Sequence, residues 1–338
     1  MIWFDTTKSA RSGHHSGLIR VSTRLQTALG AAARAVTGPD WQADAQRTDW
    51  FLTAEIFTPE ERPGWTELLA HRPCRLGAIF HDAIPLQLPQ ITWPQSVRRH
   101  PGYLKMLARF DRIWAVSEAS RRDLLGYWAW LGVAEPPPVD VLALGADYDG
   151  TPRTTSRPAS SGASLVCVGI LEPRKNQMLL LDVCDELWAE GRRFDLHLVG
   201  RVNPHFGRPV QERIKQLGRT RPGLHHGATV GDQALGELYA GARAAVFPTR
   251  AEGCGLPVVE ALWRGLLCVC SDLPALREHA AGGGCATVPV NDPAAWRDAL
   301  RRILTDDAWC DQLAAAAVAR PLKTWRETAD ALRRALET

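Results

Sequence analysis

Short apolar runs that lead directly into a polar or glycine turn and then a helix-like stretch recur through both halves of this chain. Runs of four or five apolar residues bounded by turn residues are typical of strands buried inside a parallel sheet. Regular alternation of such strands with helices predicts an α/β fold with one parallel sheet in each half. The clearest runs are 1–5, 76–80, 113–116, 139–142, 165–168, 196–199 and 244–247.

The length of 338 residues suits two domains better than one. Ser, Thr, Pro and Gly dominate the stretch before residue 164, which is the composition of a linker. We therefore predict two Rossmann-like domains facing across a cleft. The predicted segments are a first domain over 1–150, a linker over 151–163, a second domain over 164–318 and a terminal helix within 319–338.

Composition excludes several classes of function. Hydrophobic residues make up 45% and charged residues 23%, which is ordinary for a soluble globular protein. A net charge of +3 without a basic stripe argues against nucleic-acid binding. No apolar run approaches the ~20 residues that cross a bilayer, and residues 1–30 lack a signal-peptide pattern. We therefore expect a cytoplasmic protein.

The eight cysteines are scattered. We expect them to be reduced core residues, forming neither a disulfide framework nor a zinc site. Cys268 and Cys270 fall in a strand-like run, where we expect their sulfurs to point to opposite faces.

A strand, a glycine turn and a helix start follow one another between residues 244 and 262. Gly253 and Gly255 suit a tight turn in which the backbone approaches a ligand closely. Pro257 suits the start of a helix, where its missing N–H costs nothing. A helix N-terminus beside glycine amides is a ready site for an anion.

Two carboxylates flank this predicted anion site, Glu252 in the turn and Glu260 in the helix. Carboxylates are poor ligands for phosphate, but they accept hydrogen bonds from sugar hydroxyls. In a plainer interpretation, Glu260 only complements the helix dipole and Glu252 is a solvated loop residue. Spacing alone leaves both interpretations open.

The second half of the chain begins with a similar turn, in which Gly169 follows a strand-like run and Arg174 and Lys175 precede a helix. Adjacent Arg and Lys side chains can neutralise a diphosphate. A solvated helix start is the alternative. Because cations are unfavourable at a helix N-terminus, we expect an anionic group to compensate them.

Two residues of the first half, Gly17 and His81, lie in turns after strand-like runs, as the candidate residues of the second half do. Gly17 follows a polar loop and opens a helix, and His81 comes directly after the strand-like run 76–80. Polar residues just beyond a parallel strand lie where open α/β sheets bind ligands. The alternative is an ordinary strand–helix connection with a structural histidine.

The run Glu-Gly-Cys-Gly-Leu-Pro-Val-Val-Glu-Ala at 252–261 resembles the Glu-x7-Glu signature of retaining, family-4-like (group 1) glycosyltransferases of the GT-B fold. The run Glu-Pro-Arg-Lys-Asn at 172–176 is similar to a second segment of that family. Cys254 stands where an aromatic residue is usual, and Leu267 stands where proline is usual. Among these enzymes, the mannosyltransferases of bacterial surface-polysaccharide assembly look most similar.

The resemblance implies a GT-B fold whose terminal helix packs back toward the first domain. It implies a retaining hexosyltransferase that moves a sugar from a nucleotide-diphosphate donor to a glycan or lipid-linked glycan. GDP-mannose is the first donor we expect. We expect no metal cofactor, although Asp147 and Asp149 form an Asp-x-Asp pair of the kind that holds a divalent cation in another glycosyltransferase fold.

The resemblance also assigns roles. Arg174 and Lys175 would contact the leaving diphosphate, Glu252 the donor sugar, Glu260 the ribose, and His81 the sugar from the other domain. The further donor contacts it implies are Gly17, Gly169, Val230, Gly253, Cys254, Gly255, Leu256 and Pro257.

Two other functions stay open. A GT-B sugar-nucleotide epimerase would need no acceptor, and an inactive nucleotide-sugar-binding subunit could serve a glycan assembly complex. We expect most of the abundant tryptophans in the core and some on a surface that contacts an acceptor or a membrane. A peripheral contact with a membrane or with an assembly complex is the further partner interaction that we expect.

Overall fold

The computed structural model describes residues 1–11, 16–148, 150, 152–155, 162–228 and 230–337. Its contacts divide the chain into two compact units. The first unit combines Met1–Gly145 with Lys323–Thr338, and the second is Ala146–Leu322. The α/β fold predicted from the sequence, with a Rossmann-like sheet in each half, is confirmed.

Within the described residues, the first unit contains a six-stranded parallel sheet with the order β2-β1-β3-β4-β5-β6. The strands are β1 (Ile2–Asp5), β2 (Ala33–Val36), β3 (Trp50–Thr53), β4 (Arg75–Phe80), β5 (Arg112–Ala115) and β6 (Val139–Val141). The helices that precede the second unit are α1 (Gly17–Leu29), α2 (Trp65–His71), α3 (Ile84–Gln87), α4 (Pro94–Leu107) and α5 (Glu118–Leu131). The order reverses between β1 and β3, and such switch points are where open α/β sheets bind ligands.

Apolar strands form the core of the first unit because helices cover both faces of the sheet. In β4, every residue from Leu76 to Phe80 is buried. Aromatic side chains fill much of the space beside the sheet, with Phe51 stacked on Trp41 and in edge contact with Trp65. This use of tryptophan explains much of its abundance in the first half of the chain.

The second unit also contains, within its described residues, a six-stranded parallel sheet, with the order β12-β11-β10-β7-β8-β9. The strands are β7 (Ser164–Val168), β8 (Asp195–Val199), β9 (Leu224–Gly227), β10 (Ala244–Phe247), β11 (Cys268–Ser271) and β12 (Cys285–Val288). The helices are α6 (Gln177–Ala189), α7 (Arg208–Leu217), α8 (Asp232–Gly241), α9 (Leu256–Trp263), α10 (Pro274–Ala280), α11 (Pro293–Thr305) and α12 (Asp307–Ala319). From β9 to β12 this is the strand order 3-2-1-4-5-6 of dinucleotide-binding folds, with its switch point between β7 and β10.

Two apolar clusters cover the two faces of this second sheet. Val269 of β11 belongs to one cluster, and its neighbours Cys268 and Cys270 belong to the other. The expectation that the two sulfurs point to opposite faces is therefore wrong, because side chains two residues apart in a strand share a face.

The stretch after residue 145 packs on the second unit. Tyr148 is fully buried in the cluster that contains Cys268. Arg153 donates hydrogen bonds to the carbonyl oxygens of Ala317 and Val318 at the end of α12. These contacts tie the described part of the predicted linker to α12.

The last helix, α13 (Trp325–Glu337), belongs to the first unit and lies beside α1. Trp50 Nε1 donates to Leu336 O at 2.8 Å, and Arg112 donates to Ala335 O at 3.0 Å. Trp325 and Leu332 are buried by this packing. Among the described residues, no helix has both the length and the apolar character needed to span a bilayer.

Candidate active site

Two loops meet at the switch point of the second sheet because β7 and β10 are adjacent. One loop follows β7 and contains Arg174, and the other follows β10 and contains Thr249 and Arg250. The carbonyl oxygen of Arg174 accepts a hydrogen bond from Arg250 N at 2.8 Å and another from Thr249 Oγ1 at 3.1 Å. The sheet order thus joins two segments that lie more than 70 residues apart in the sequence.

Charged side chains alternate in sign where these loops meet. Lys175 Nζ lies 2.5 Å from Glu252 Oε1, and Arg174 Nη1 lies 3.7 Å from Glu252 Oε2. Arg174 Nη2 also lies 2.8 Å from Glu172 Oε1. The four side chains, called the charge cluster below, are 12–21% exposed. The protein itself therefore supplies the anionic compensation that the sequence led us to expect.

The electrostatics of Glu252 follow from this arrangement. Burial alone would raise the pKa of its carboxyl group. The charges of Lys175 and Arg174, with hydrogen bonds from Lys175 and Thr249, outweigh burial and hold the pKa below its ordinary value. Glu252 is therefore an ionised hydrogen-bond acceptor and a weak base.

Glu172 and Asn203 support the charge cluster from behind, and neither was among the predicted site residues. Asn203 Nδ2 donates to Glu172 Oε2 at 2.7 Å, and the backbone N–H of Glu172 donates to Gln177 Oε1 at 3.3 Å. Glu172 is buried as a whole residue, and the hydrogen bond from Asn203 holds its carboxylate beside Arg174. The sequence signal for Glu172 was its place in the run Glu-Pro-Arg-Lys-Asn, but Asn203 carried none.

A glycine with a left-handed backbone conformation immediately precedes α9 at the end of the β10 loop. Gly255 has φ of +84°, a conformation that side chains disfavour. A methyl group added there would come 2.5 Å from Leu276 Cδ2. Leu256 and Pro257 start the helix directly after this turn, and the N-terminus of a helix is a ready site for an anion.

Cys254 in the same turn is held by His279 of α10, a residue that sequence reasoning missed. His279 Nε2 lies 2.7 Å from the carbonyl oxygen of Cys254, so this ring nitrogen carries the proton and donates. Burial lowers the pKa of His279, which favours the neutral ring. The contact fixes the backbone between Gly253 and Gly255.

The remaining predicted donor contacts of the second unit lie at different distances from the charge cluster. Gly169 is adjacent, since a methyl group there would lie 3.4 Å from Lys175 Cε. Glu260 is 1% exposed in the second turn of α9. Val230 follows β9, which β8 separates from β7, so about two strand spacings, roughly 10 Å, lie between it and the cluster.

His81 and Gly17 belong to the first unit. His81 follows β4 and is 7% exposed; its Nε2 lies 2.8 Å from Ala54 O, and its own carbonyl oxygen accepts from Ser120 Oγ at 2.7 Å. Burial lowers the pKa of His81, so the neutral ring donates through Nε2 and keeps Nδ1 as an acceptor. Gly17 opens α1 behind the N-cap Ser16.

The switch point of the first sheet holds a buried ion-pair network that the sequence did not reveal. Arg62 Nη1 lies 2.6 Å from Asp5 Oδ2, and Arg62 Nη2 pairs with Glu55. Glu55 also accepts hydrogen bonds from the backbone amides of Lys8 and Ser9. These contacts fix the backbone at Lys8 and Ser9, shortly after β1. Burial, with the nearby arginines, lowers the pKa of the Lys8 ammonium group to about 8.

No group of three His, Cys, Asp or Glu side chains among the described residues could hold a metal ion. Asp149 of the Asp-x-Asp pair lies outside those residues.

Comparison with known proteins places this geometry in a family. Residues 162–306 match the family described as "Glycosyl transferases group 1". The D-inositol 3-phosphate glycosyltransferase of Frankia alni is 30% identical over 298 residues, which cover 82% of this chain and 69% of that enzyme. The chain belongs to the group 1 glycosyltransferases.

Among other members of the family, the serotype-specific mannosyltransferase WbdA of Escherichia coli is 31% identical over 248 residues. The match covers 68% of this chain but only 29% of WbdA, so the chain spans less than a third of that relative.

The fold agrees with this assignment. The solved structure of Anabaena HepE in complex with UDP and glucose superposes with a TM-score of 0.72. The superposition covers 99% of this chain and 98% of HepE at 15% identity, which identifies the fold as GT-B.

Proposed function

We propose that this chain is a retaining hexosyltransferase, most specifically a mannosyltransferase, that uses a nucleotide-diphosphate sugar and a glycan or lipid-linked glycan acceptor. The observation that carries the proposal is the charge cluster at the switch point between β7 and β10. There two cations and an ionised carboxylate lie beside the N-terminus of α9, where the strand order of the sheet favours ligand binding.

Arg174 and Lys175 stabilise the negative charge that develops on the leaving diphosphate. The backbone amides at the start of α9 also stabilise this negative charge. The charge cluster is neutral before the donor binds, so the diphosphate shares the cations with Glu252 and Glu172. A carboxylate oxygen of Glu252 then accepts hydrogen bonds from the hydroxyls of the donor sugar.

The other proposed roles are those that the resemblance to the family implies. Glu260 binds the ribose, and Val230 lies toward the nucleotide base. His81 contacts the donor sugar through Nδ1. The leaving phosphate oxygen accepts the acceptor's proton, so no protein base and no metal ion enters the step. A lipid-linked acceptor would bring the enzyme to the cytoplasmic face of a membrane.

GDP-mannose is the proposed donor because WbdA, which shares 31% identity with this chain, is a mannosyltransferase. HepE was solved with UDP and glucose, so UDP-glucose is the natural competitor to test.

A thermal-shift series with GDP-mannose, UDP-glucose, GDP and UDP tests donor binding. A ligand at 100 times its Kd adds about 2.7 kcal/mol to the free energy of unfolding and raises Tm. We expect the largest shift with GDP-mannose, and no shift with any of the four would contradict the proposal. If the protein transfers the sugar or releases it as free sugar, it is an active transferase and not an inactive binding subunit. Conversion of the donor to a different nucleotide sugar in the absence of an acceptor would indicate an epimerase.

Calorimetry with free GDP, which lacks the sugar, distinguishes the role of Glu260 from that of Glu252. Glu260→Gln is expected to weaken GDP binding by about 1.5–3 kcal/mol, the usual value of a hydrogen bond to a charged group. Glu252→Gln is expected to change GDP binding less. The opposite ranking would reverse the roles proposed for the two residues.

A further inference from the structure

Three thiols that the proposed transfer reaction does not use lie on one face of the second sheet, beneath α9. Cys268 and Cys270 of β11 belong to the apolar cluster on this face, and Cys285 of β12 packs against it. Cys268 and Cys285 are direct partners in the register of the two parallel strands.

The strand register favours one pair of these thiols. Adjacent strands lie about 4.8 Å apart, within the roughly 4.4–6.8 Å that a disulfide needs between Cα atoms. The register partner of Cys270 is Thr287, so Cys270 is displaced from Cys285 by two residues. The diagonal Cα separation is then about 8 Å, too long for a disulfide without backbone movement. Cys268 and Cys285 are the pair that can be bridged.

The two thiols of this pair differ in access and reactivity. Cys268 is fully buried, whereas Cys285 lies in the edge strand β12 and is partly exposed. The thiols of Cys268 and Cys270 both hydrogen-bond to Cys285, and these bonds hold its pKa well below the ordinary value. Because the thiolate is the nucleophilic form, Cys285 is the thiol that meets an oxidant first.

We propose that Cys285 and Cys268 form a reversible disulfide when the protein meets a peroxide, and that this bond weakens donor binding. The sulfur of Cys285 attacks one peroxide oxygen, and the O–O bond breaks with loss of water, leaving a sulfenic acid. The sulfur of Cys268 then attacks that of Cys285, loses its proton, and releases the second water. Two thiols are oxidised, and one hydrogen peroxide is reduced to two waters.

The link to the donor site passes through α9. The thiol of Cys268 lies 3.8 Å from the carbonyl oxygen of Val258 in the first turn of α9, the helix that carries Glu260. A disulfide with Cys285 shortens the distance between the two sulfurs to about 2 Å and removes the S–H that faces the carbonyl oxygen of Val258. This effect on binding rests on the proposed function, whereas formation of the disulfide does not.

Peptide mass spectrometry of the folded protein tests the disulfide itself. The reduced protein is treated with hydrogen peroxide, its free thiols are alkylated, and it is digested without reductant. We expect a Cys268–Cys285 linked peptide that dithiothreitol removes. We expect the same peptide from Cys270→Ala and from the control Cys184→Ala, whose thiol is buried in the cluster on the other face. Absence of the link in the wild-type protein, or a Cys270–Cys285 link in its place, would overturn the proposal.

Calorimetry with GDP and UDP tests the effect on binding. We expect oxidation to weaken binding of the nucleotide that the reduced protein prefers by roughly five-fold or more, as in other coupled sites. Dithiothreitol should restore the affinity, and Cys285→Ala should not respond to peroxide. A linked protein with unchanged affinity would overturn the regulatory role alone. A reduced protein that binds neither nucleotide would contradict the proposed function and leave the linked peptide as a separate result.

Discussion

Lys175 contacts Glu252 directly, and in the proposed mechanism its compact charge stabilises the leaving diphosphate. Lys175→Ala is expected to lower kcat by about 10²–10³-fold, the usual effect of losing one preorganised group that stabilises transition-state charge. Arg174→Ala is expected to act in the same direction. Sugar-transfer rates measured with the preferred donor check both.

Lys215→Ala is a matched control, because Lys215 is an exposed residue of α7 in the same unit. Its kcat and Tm should stay near those of the wild-type protein. A double variant of Arg174 and Lys175 that keeps normal activity would contradict the role proposed for the two cations in binding the diphosphate.

Glu252 is predicted to make the second unit sensitive to acid. Its pKa is lowered in the folded protein from an ordinary value near 4.5. The resulting stabilisation is fully present above that value and is lost as the pH falls through the lowered folded-state pKa. Denaturant titrations between neutral pH and pH 3 should therefore show a smaller acid loss of unfolding free energy for Glu252→Gln than for the wild-type protein.

Glu237→Gln controls for the loss of an exposed carboxylate, because Glu237 lies on the solvent side of α8. This variant should lose as much unfolding free energy between neutral pH and pH 3 as the wild-type protein does. An equal decline in the wild-type and Glu252→Gln proteins would mean that the ion pair with Lys175 contributes nothing to the stability of the fold.

At the scale of secondary-structure elements, α13 is predicted to be a structural part of the first unit. Leu332 is fully buried on this helix, so Leu332→Ala should lower the free energy of unfolding by about 2–5 kcal/mol. The neighbouring Arg334 is exposed, so Arg334→Ala should change the free energy of unfolding little. Urea unfolding followed by tryptophan fluorescence measures both, and equal effects would argue against burial of this face of α13.

The elements of the site that are local in sequence could be predicted from the sequence. Gly255 and Pro257 indicated the turn and the start of α9, and Arg174 and Lys175 indicated charge after β7. The contacts of Asn203 with Glu172 and of His279 with Cys254 could not be predicted. They join segments about 25–30 residues apart, and only the strand order brings those segments together.

The same limit applies at the scale of the whole molecule. The sequence predicted a parallel sheet in each half, because buried strands alternating with helices leave few other folds. It did not predict that β7 and β10 are neighbours, which places Lys175 beside Glu252. It also gave no sign that Asp5, Glu55 and Arg62 meet at the switch point of the first sheet.

Metal independence and stereochemistry are predicted together for the whole enzyme. In the proposed mechanism, Arg174 and Lys175 supply the positive charge that a divalent cation supplies in other transferases. EDTA should therefore leave the transfer rate largely unchanged, and Asp147→Ala should have little effect. If transfer strictly required a divalent cation and Asp147→Ala abolished it, the chemistry of the other glycosyltransferase fold would be favoured.

Inversion would require a general base to activate the acceptor, and two of the assigned side chains, Glu252 and His81, are weak bases. The lowered pKa of Glu252 makes its carboxylate a poor proton acceptor, and burial lowers the pKa of His81. In the proposed mechanism, the leaving phosphate therefore takes the acceptor's proton on the face from which it departs. The product should therefore keep the anomeric configuration of the donor, which the NMR coupling constants of the new linkage report. An inverted product would contradict this mechanism even if sugar transfer itself were observed.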